Sequence, residues 1–201
     1  MVSFDFIANS LGFKILDSGV LYRLYAYLSN MFNSSDEIAT QIQNHVRFKK
    51  SEEKLFVMYK NNDVTNELRS EIIAKSASEY SSKKEVRDAL FNIQRNFHDG
   101  EDLVADGRDM GTVVFPSANL KIFLTASIEE RAKRRHKQLI SKGIGGKLPD
   151  LLRDLGDRDI RDTERSISPL EPASDAVISV SYTHLRAHET VLDLVCRLLL
   201  E

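Results

Sequence analysis

Four short stretches of this 201-residue chain place arginines and carboxylates at spacings that could hold an anion. The most informative is Asp106-Gly107-Arg108-Asp109-Met110-Gly111-Thr112, a glycine-flanked Arg-Asp step directly after an apolar run at 103–105. Open parallel sheets bind ligands outside the carboxyl ends of their strands, so a loop in this position is where an anion would sit. Arg108 offers a planar fork that grips a phosphate through two hydrogen bonds; a loop ion pair between Arg108 and Asp109 is the competing reading. Asp17-Ser18-Gly19-Val20-Leu21-Tyr22-Arg23 stands in the same relation to the apolar run at 13–16. There Ser18 can donate to or accept from a base edge, and Arg23, one helical turn further on, can reach a phosphate. The plainer alternative is a helix cap at Asp17 or Ser18 with Arg23 in solvent.

Arg158, Asp162 and Arg165 lie at i, i+4 and i+7, which puts two guanidinium groups and a carboxylate on one helical face. Such a face could hold ribose hydroxyls through Asp162 and a phosphate or base through the arginines. Alternating charge also describes an ordinary solvated, salt-bridged surface. Arg131, Arg134 and Arg135 share one face of another helix and carry the same two readings.

The elements that must position these side chains follow from periodicity. Phe6, Ile7 and Leu11 have helical spacing, Gly12 is a left-handed stop, and 13–16 reads as a buried strand. Residues 17–19 make a turn before a helix over 20–30. From 36 to 60 a polar helix gives way to alternating runs at 45–48 and 54–59, a small antiparallel insertion. Two helices follow, the second marked by Val86, Leu90, Ile93 and Phe97 and ended by Asp99-Gly100. Residues 103–105 and 120–124 are compact strands of the kind buried in parallel sheets. Ser127 and Glu130 form a capping box for a helix from 128 to the Gly143 stop, with a connection at 144–148. Pro149 opens a further helix to about 165, in which Gly156 costs roughly 1 kcal/mol relative to Ala, so that helix is expected to lean on tertiary contacts or a ligand. A last strand occupies 176–180. Alternation of strand and helix predicts an α/β fold with a parallel sheet flanked by helices.

Composition narrows the class. With 42% hydrophobic and 29% charged residues the chain can bury one substantial core, and its formal net charge of −2 does not indicate a nucleic-acid or membrane surface. The single cysteine, Cys196, excludes an internal disulfide. No apolar stretch reaches membrane-span length and residues 1–12 do not resemble a leader, so the expected location is the cytoplasm.

In combination, three segments resemble the signatures of bacterial cytidylate kinases, in the right order and spacing. They are Leu16-Asp17-Ser18-Gly19-Val20-Leu21-Tyr22-Arg23, the run from Ala105 through Asp106-Gly107-Arg108-Asp109-Met110-Gly111-Thr112 to Pro116, and Arg158-Asp159-Ile160-Arg161-Asp162 with Ser168-Pro169-Leu170. The likeness covers roughly 6–178. It implies a nucleoside monophosphate kinase fold of the P-loop type, built as a single core over 1–201 with a monophosphate-binding insertion at 36–80 and a lid region at 131–158. It implies transfer of a phosphoryl group from ATP, with Mg²⁺ carried by the nucleotide, to CMP or dCMP. On the same resemblance Ser18, Ser78, Arg87 and Asp162 contact the cytosine and the sugar, and Arg165 makes a further base contact. Arg23, Arg108 and Arg158 grip the monophosphate with Asp109 beside them, and Arg131, Arg134 and Arg135 form the lid over the ATP phosphates. A monomer is expected for the complete enzyme.

The chain departs from that pattern at both ends. The family opens on a strand and a loop of the form G-x-x-x-x-G-K-[ST], whose backbone N–H groups cradle phosphates. No such run occurs here; Gly143-Ile144-Gly145-Gly146-Lys147 has Ser141 and Leu148 at the decisive places and follows a helix. The resemblance therefore implies a chain missing its first strand and P-loop, by truncation or a late start, and a defective kinase. The missing strand would lie between those at 103–105 and 120–124. A non-catalytic nucleotide-binding or interaction protein that kept only the monophosphate pocket is the alternative. Residues 181–201 do not resemble the family and read as a foreign tail, although Val191, Leu192, Leu194, Val195 and Leu198 could form an amphipathic helix. His184 and His188 are four apart but lack an acidic partner motif, so no metal site is expected.

Overall fold

Residues 4–51, 54–141, 143 and 145–180 are described by a computed structural model. They fall into two compact units, one running to Met110 and the other starting at Gly111.

The first unit opens with α1 (Phe4–Leu11). Gly12 follows at φ 72°, a conformation open to glycine for want of a Cβ, and turns the chain into β1 (Lys14–Asp17). Asp17 then caps α2 (Ser18–Leu28), its carboxylate accepting from the Val20 amide at 3.1 Å. The helix thus begins at Ser18 rather than at Val20, because Asp17 supplies the cap that the turn reading spread over three residues. Leu21, Leu24 and Leu28 of α2 are fully buried, each such side chain stabilising the fold by about 1.5–3 kcal/mol.

The insertion consists of α3 (Ser35–His45), β2 (Val46–Ser51), β3 (Lys54–Tyr59) and β4 (Asn62–Asp63). β2 and β3 pair antiparallel, Val46 opposite Tyr59, and β4 extends the sheet with Tyr59 opposite Asn62. The third strand is absent from the sequence reading. It forms because Lys60 and Asn61 both take positive φ, 47° and 68°, the geometry of a tight two-residue hairpin without its usual glycine. Asp63 accepts from the Thr65 amide at 2.9 Å and leads into α4 (Thr65–Leu68). Then come α5 (Glu71–Tyr80), capped by Ser70, and α6 (Lys84–Arg95). Three helices therefore stand where two are predicted, the extra one a single turn. α2 packs against α3, α4, α5 and α6.

β5 (Leu103–Asp106) runs parallel to β1, with Lys14 opposite Leu103 and Asp17 opposite Asp106. Lys14 Nζ ties this ladder to the preceding turn through Asp99 at 2.6 Å and Glu101 at 3.0 Å. Those hydrogen bonds raise the lysine above its ordinary range and hold Asp99 below the usual carboxylate range. A π-helical turn, Met110–Val114, replaces the plain loop expected there; single π turns recur at functional sites.

In the second unit β6 (Ile122–Thr125) is followed by α7 (Ile128–Ser141) and α8 (Leu148–Glu164), and β7 (Val177–Val180) returns parallel to β6. The Ser127 hydroxyl accepts from the Glu130 amide at 3.3 Å, which forms half of the predicted capping box; the Glu130 carboxylate takes Lys133 at 3.3 Å instead. Pro149 lies in the first turn of α8, where its missing N–H is not needed. α7 packs on α8, and a Cβ added at Gly156 would sit 3.4 Å from Ile128 Cδ1. Gly156 therefore belongs to a helix contact, the tertiary support its cost requires. Among the described residues no helix is long and apolar enough to cross a membrane.

Candidate active site

The carboxyl ends of β1 and β5 deliver the start of α2 and the loop after β5 side by side, since the ladder aligns Asp17 with Asp106. Ser18 follows the first strand and Gly107 the second. A Cβ on Gly107 would approach Ser18 Cβ to 2.9 Å and Met110 Cε to 2.9 Å. Only a glycine lets the loop lie this close to Ser18. Ser18 is buried, and its hydroxyl accepts from Nε2 of Gln94 at 2.9 Å.

Two residues further along the loop, Asp109 is buried in an ion pair with Arg87. Arg87 also donates to the Ser81 carbonyl at 3.1 Å, and its guanidinium stands 6.0 Å from the ring centre of Tyr22. Asp109, expected beside the phosphate-gripping arginines, thus has a buried partner in Arg87 from another element. The reason is burial: a carboxylate out of water requires a charged, hydrogen-bonded partner, which Arg87 supplies from α6. Arg23 is half-buried and donates to the Leu68 carbonyl at 3.2 Å, so it is no solvent-exposed helix residue. Arg108 is half-buried and Ser78 buried on α5.

The second unit carries the remaining candidates. Arg131 grips Asp159 with both guanidinium nitrogens, one at 2.8 Å, and donates through Nε to the Ala126 carbonyl at 3.2 Å. The Asp159 contact raises its already high pKa. Arg134 and Arg135 are half-buried on the same helix. On α8 the buried Asp162 has Arg158 Nε at 3.7 Å and Arg165 Nη1 at 3.7 Å. Arg165 donates through Nε to the Ser168 carbonyl at 2.5 Å, and the Leu170 amide donates to the Asp162 carbonyl at 2.7 Å. The three-residue set is thus a folded cluster around one buried carboxylate, not a solvated stripe. The sequence reading missed Gln94, Tyr22 and Asp159. Gln94 had a signal: it lies four residues after Leu90, a polar side chain on the apolar face of α6.

A family model described as cytidylate kinase matches residues 4–199. That match takes in most of 181–201, the stretch expected to be a foreign tail, which with His184 and His188 lies outside the described residues. Over 177 residues the chain is 46% identical to a cytidylate kinase of Cupriavidus pinatubonensis, covering 85% of this chain and 77% of the relative. It is 47% identical over 175 residues to one of Paraburkholderia phymatum, covering 85% of this chain and 75% of the relative. A cytidylate kinase of Pseudomonas putida is 46% identical over 178 residues, again across 85% of this chain and 78% of the relative. Parallel strand pairs flanked by helices, together with that family match, make the fold that of a nucleoside monophosphate kinase. The chain belongs to the cytidylate kinase family.

Proposed function

We propose that this protein moves the γ-phosphoryl group of ATP to CMP or dCMP, giving CDP or dCDP. The observation that carries the acceptor choice is the buried pair of Arg87 and Asp109, two residues along the loop from the Gly107 that packs on Ser18. A carboxylate accepts only and a guanidinium donates only. Together they match an edge on which an amino donor adjoins acceptors, as in cytosine. Uracil would turn a carbonyl toward the carboxylate.

The proposed division of labour gives Ser18, Ser78, Arg87, Asp109, Asp162 and Arg165 to the nucleoside. Arg23, Arg108 and Arg158 hold the phosphate. Arg131, Arg134 and Arg135 serve the ATP phosphates, whose charge Mg²⁺ shares in reactions of this type. Phosphoryl transfer asks the protein to place two phosphates in line and neutralise developing charge, which suits an arginine-rich set. The residues do not fit the donor equally well. No G-x-x-x-x-G-K-[ST] run occurs in the sequence, and side-chain arginines do not reproduce a cradle of backbone N–H groups. A polypeptide of these 201 residues is therefore proposed to bind the acceptor without turning it over. Its ADP release with ATP and CMP at saturation is expected to stay at background; release at ordinary kinase rates would contradict this separation.

A further inference from the structure

We infer that Gln94 is a positioning residue for base discrimination, acting through Ser18; the inference rests on the reading of Ser18 as a base contact. Gln94 is almost completely buried on α6, seven residues after Arg87, and two helical turns bring both to the same face. That face therefore meets both strand ends: Arg87 takes Asp109 in the loop after β5, and Gln94 takes the hydroxyl of Ser18, the residue after β1 against which Gly107 lies. A serine hydroxyl has one proton and two lone pairs. The amide of Gln94 occupies one lone pair and holds the side chain in one rotamer, while Gly107 packs close enough to Ser18 that a Cβ there would come within 2.9 Å of the Ser18 Cβ. One donor and one acceptor position remain for the ligand, aimed in a fixed direction. Without Gln94 the hydroxyl could turn, and its contribution to telling CMP from UMP would be averaged away.

Gln94→Met keeps the length and burial but removes the donor. In titrations of the full chain with CMP and with UMP, the ratio of affinities is expected to fall about fivefold, the worth of one net hydrogen bond. Ser18→Ala should lower the ratio by a similar factor, and adding Gln94→Met to Ser18→Ala should lower it no further. If Gln94→Met weakens both nucleotides equally, or lowers the ratio as much in the Ser18→Ala background, Gln94 is merely structural and the inference fails. If Ser18→Ala leaves the ratio unchanged, the base-contact reading itself fails. Gln94→Asn, which withdraws the same amide by one methylene, provides the comparison should the methionine variant not fold; an unchanged ratio there, with Ser18→Ala effective, also overturns the inference.

Discussion

Arg108 belongs to the loop after β5 and Arg87 reaches that loop from α6, yet the structure gives them different surroundings. Arg87 is buried against Asp109, Ser81 and Tyr22, and so is built into the fold before any ligand arrives. Breaking such a pair by removing one partner typically costs about 3–5 kcal/mol, so variants of Arg87 confound stability with binding. Arg108 is half-buried and, with the phosphate role proposed for it, is the better position to vary. Arg108→Ala is expected to weaken CMP binding by about 10- to 100-fold, the worth of hydrogen bonds to a charged group, while cytidine binding changes little. Calorimetric titration of both ligands checks this, and equal losses for the two would remove Arg108 from the phosphate site.

At the scale of elements, the two units are unequally cored. α2 and α6 bury Leu21, Leu24, Leu28 and Leu90 completely. Among the described residues from Gly111 onward the buried apolar side chains are Val114, Ala132 and Leu139, while Leu124, Ile178 and Val180 on β6 and β7 are exposed. A two-stranded ladder is marginal alone, so local opening should come first there. Amide hydrogen exchange is expected to protect α2 and α6 longest and to release β6 and β7 early; uniform protection across both units would contradict it. Helix spacing made α6 legible from Val86, Leu90 and Ile93, and the apolar runs marked all four parallel strands to within two residues. β4 was not legible, because Lys60-Asn61 lacks the glycine that advertises a hairpin. Nor was the pairing of Asp109 with Arg87, since the loop sequence alone offers Arg108 as the nearer partner. Gln94 stood out as a polar residue on an apolar helix face, but its partner Ser18, 76 residues away, could not be read from that spacing.

For the whole molecule, family membership and the buried polar set of the first unit support one conclusion at different strengths. The family names an acceptor class, while the Arg87–Asp109 pair gives a physical reason for choosing cytosine within it. The measurement that bears on this most directly is calorimetric titration of the chain with CMP, UMP and AMP under one buffer. A single saturable site is expected, with CMP held at least about tenfold more tightly than UMP, as one mismatched donor–acceptor contact near a buried charge is worth at least ~1.4 kcal/mol. AMP, whose adenine edge pairs an amino donor with one ring acceptor and lacks the second acceptor of cytosine, should bind more weakly still. Equal affinity for the three, or a preference for UMP, would contradict the account.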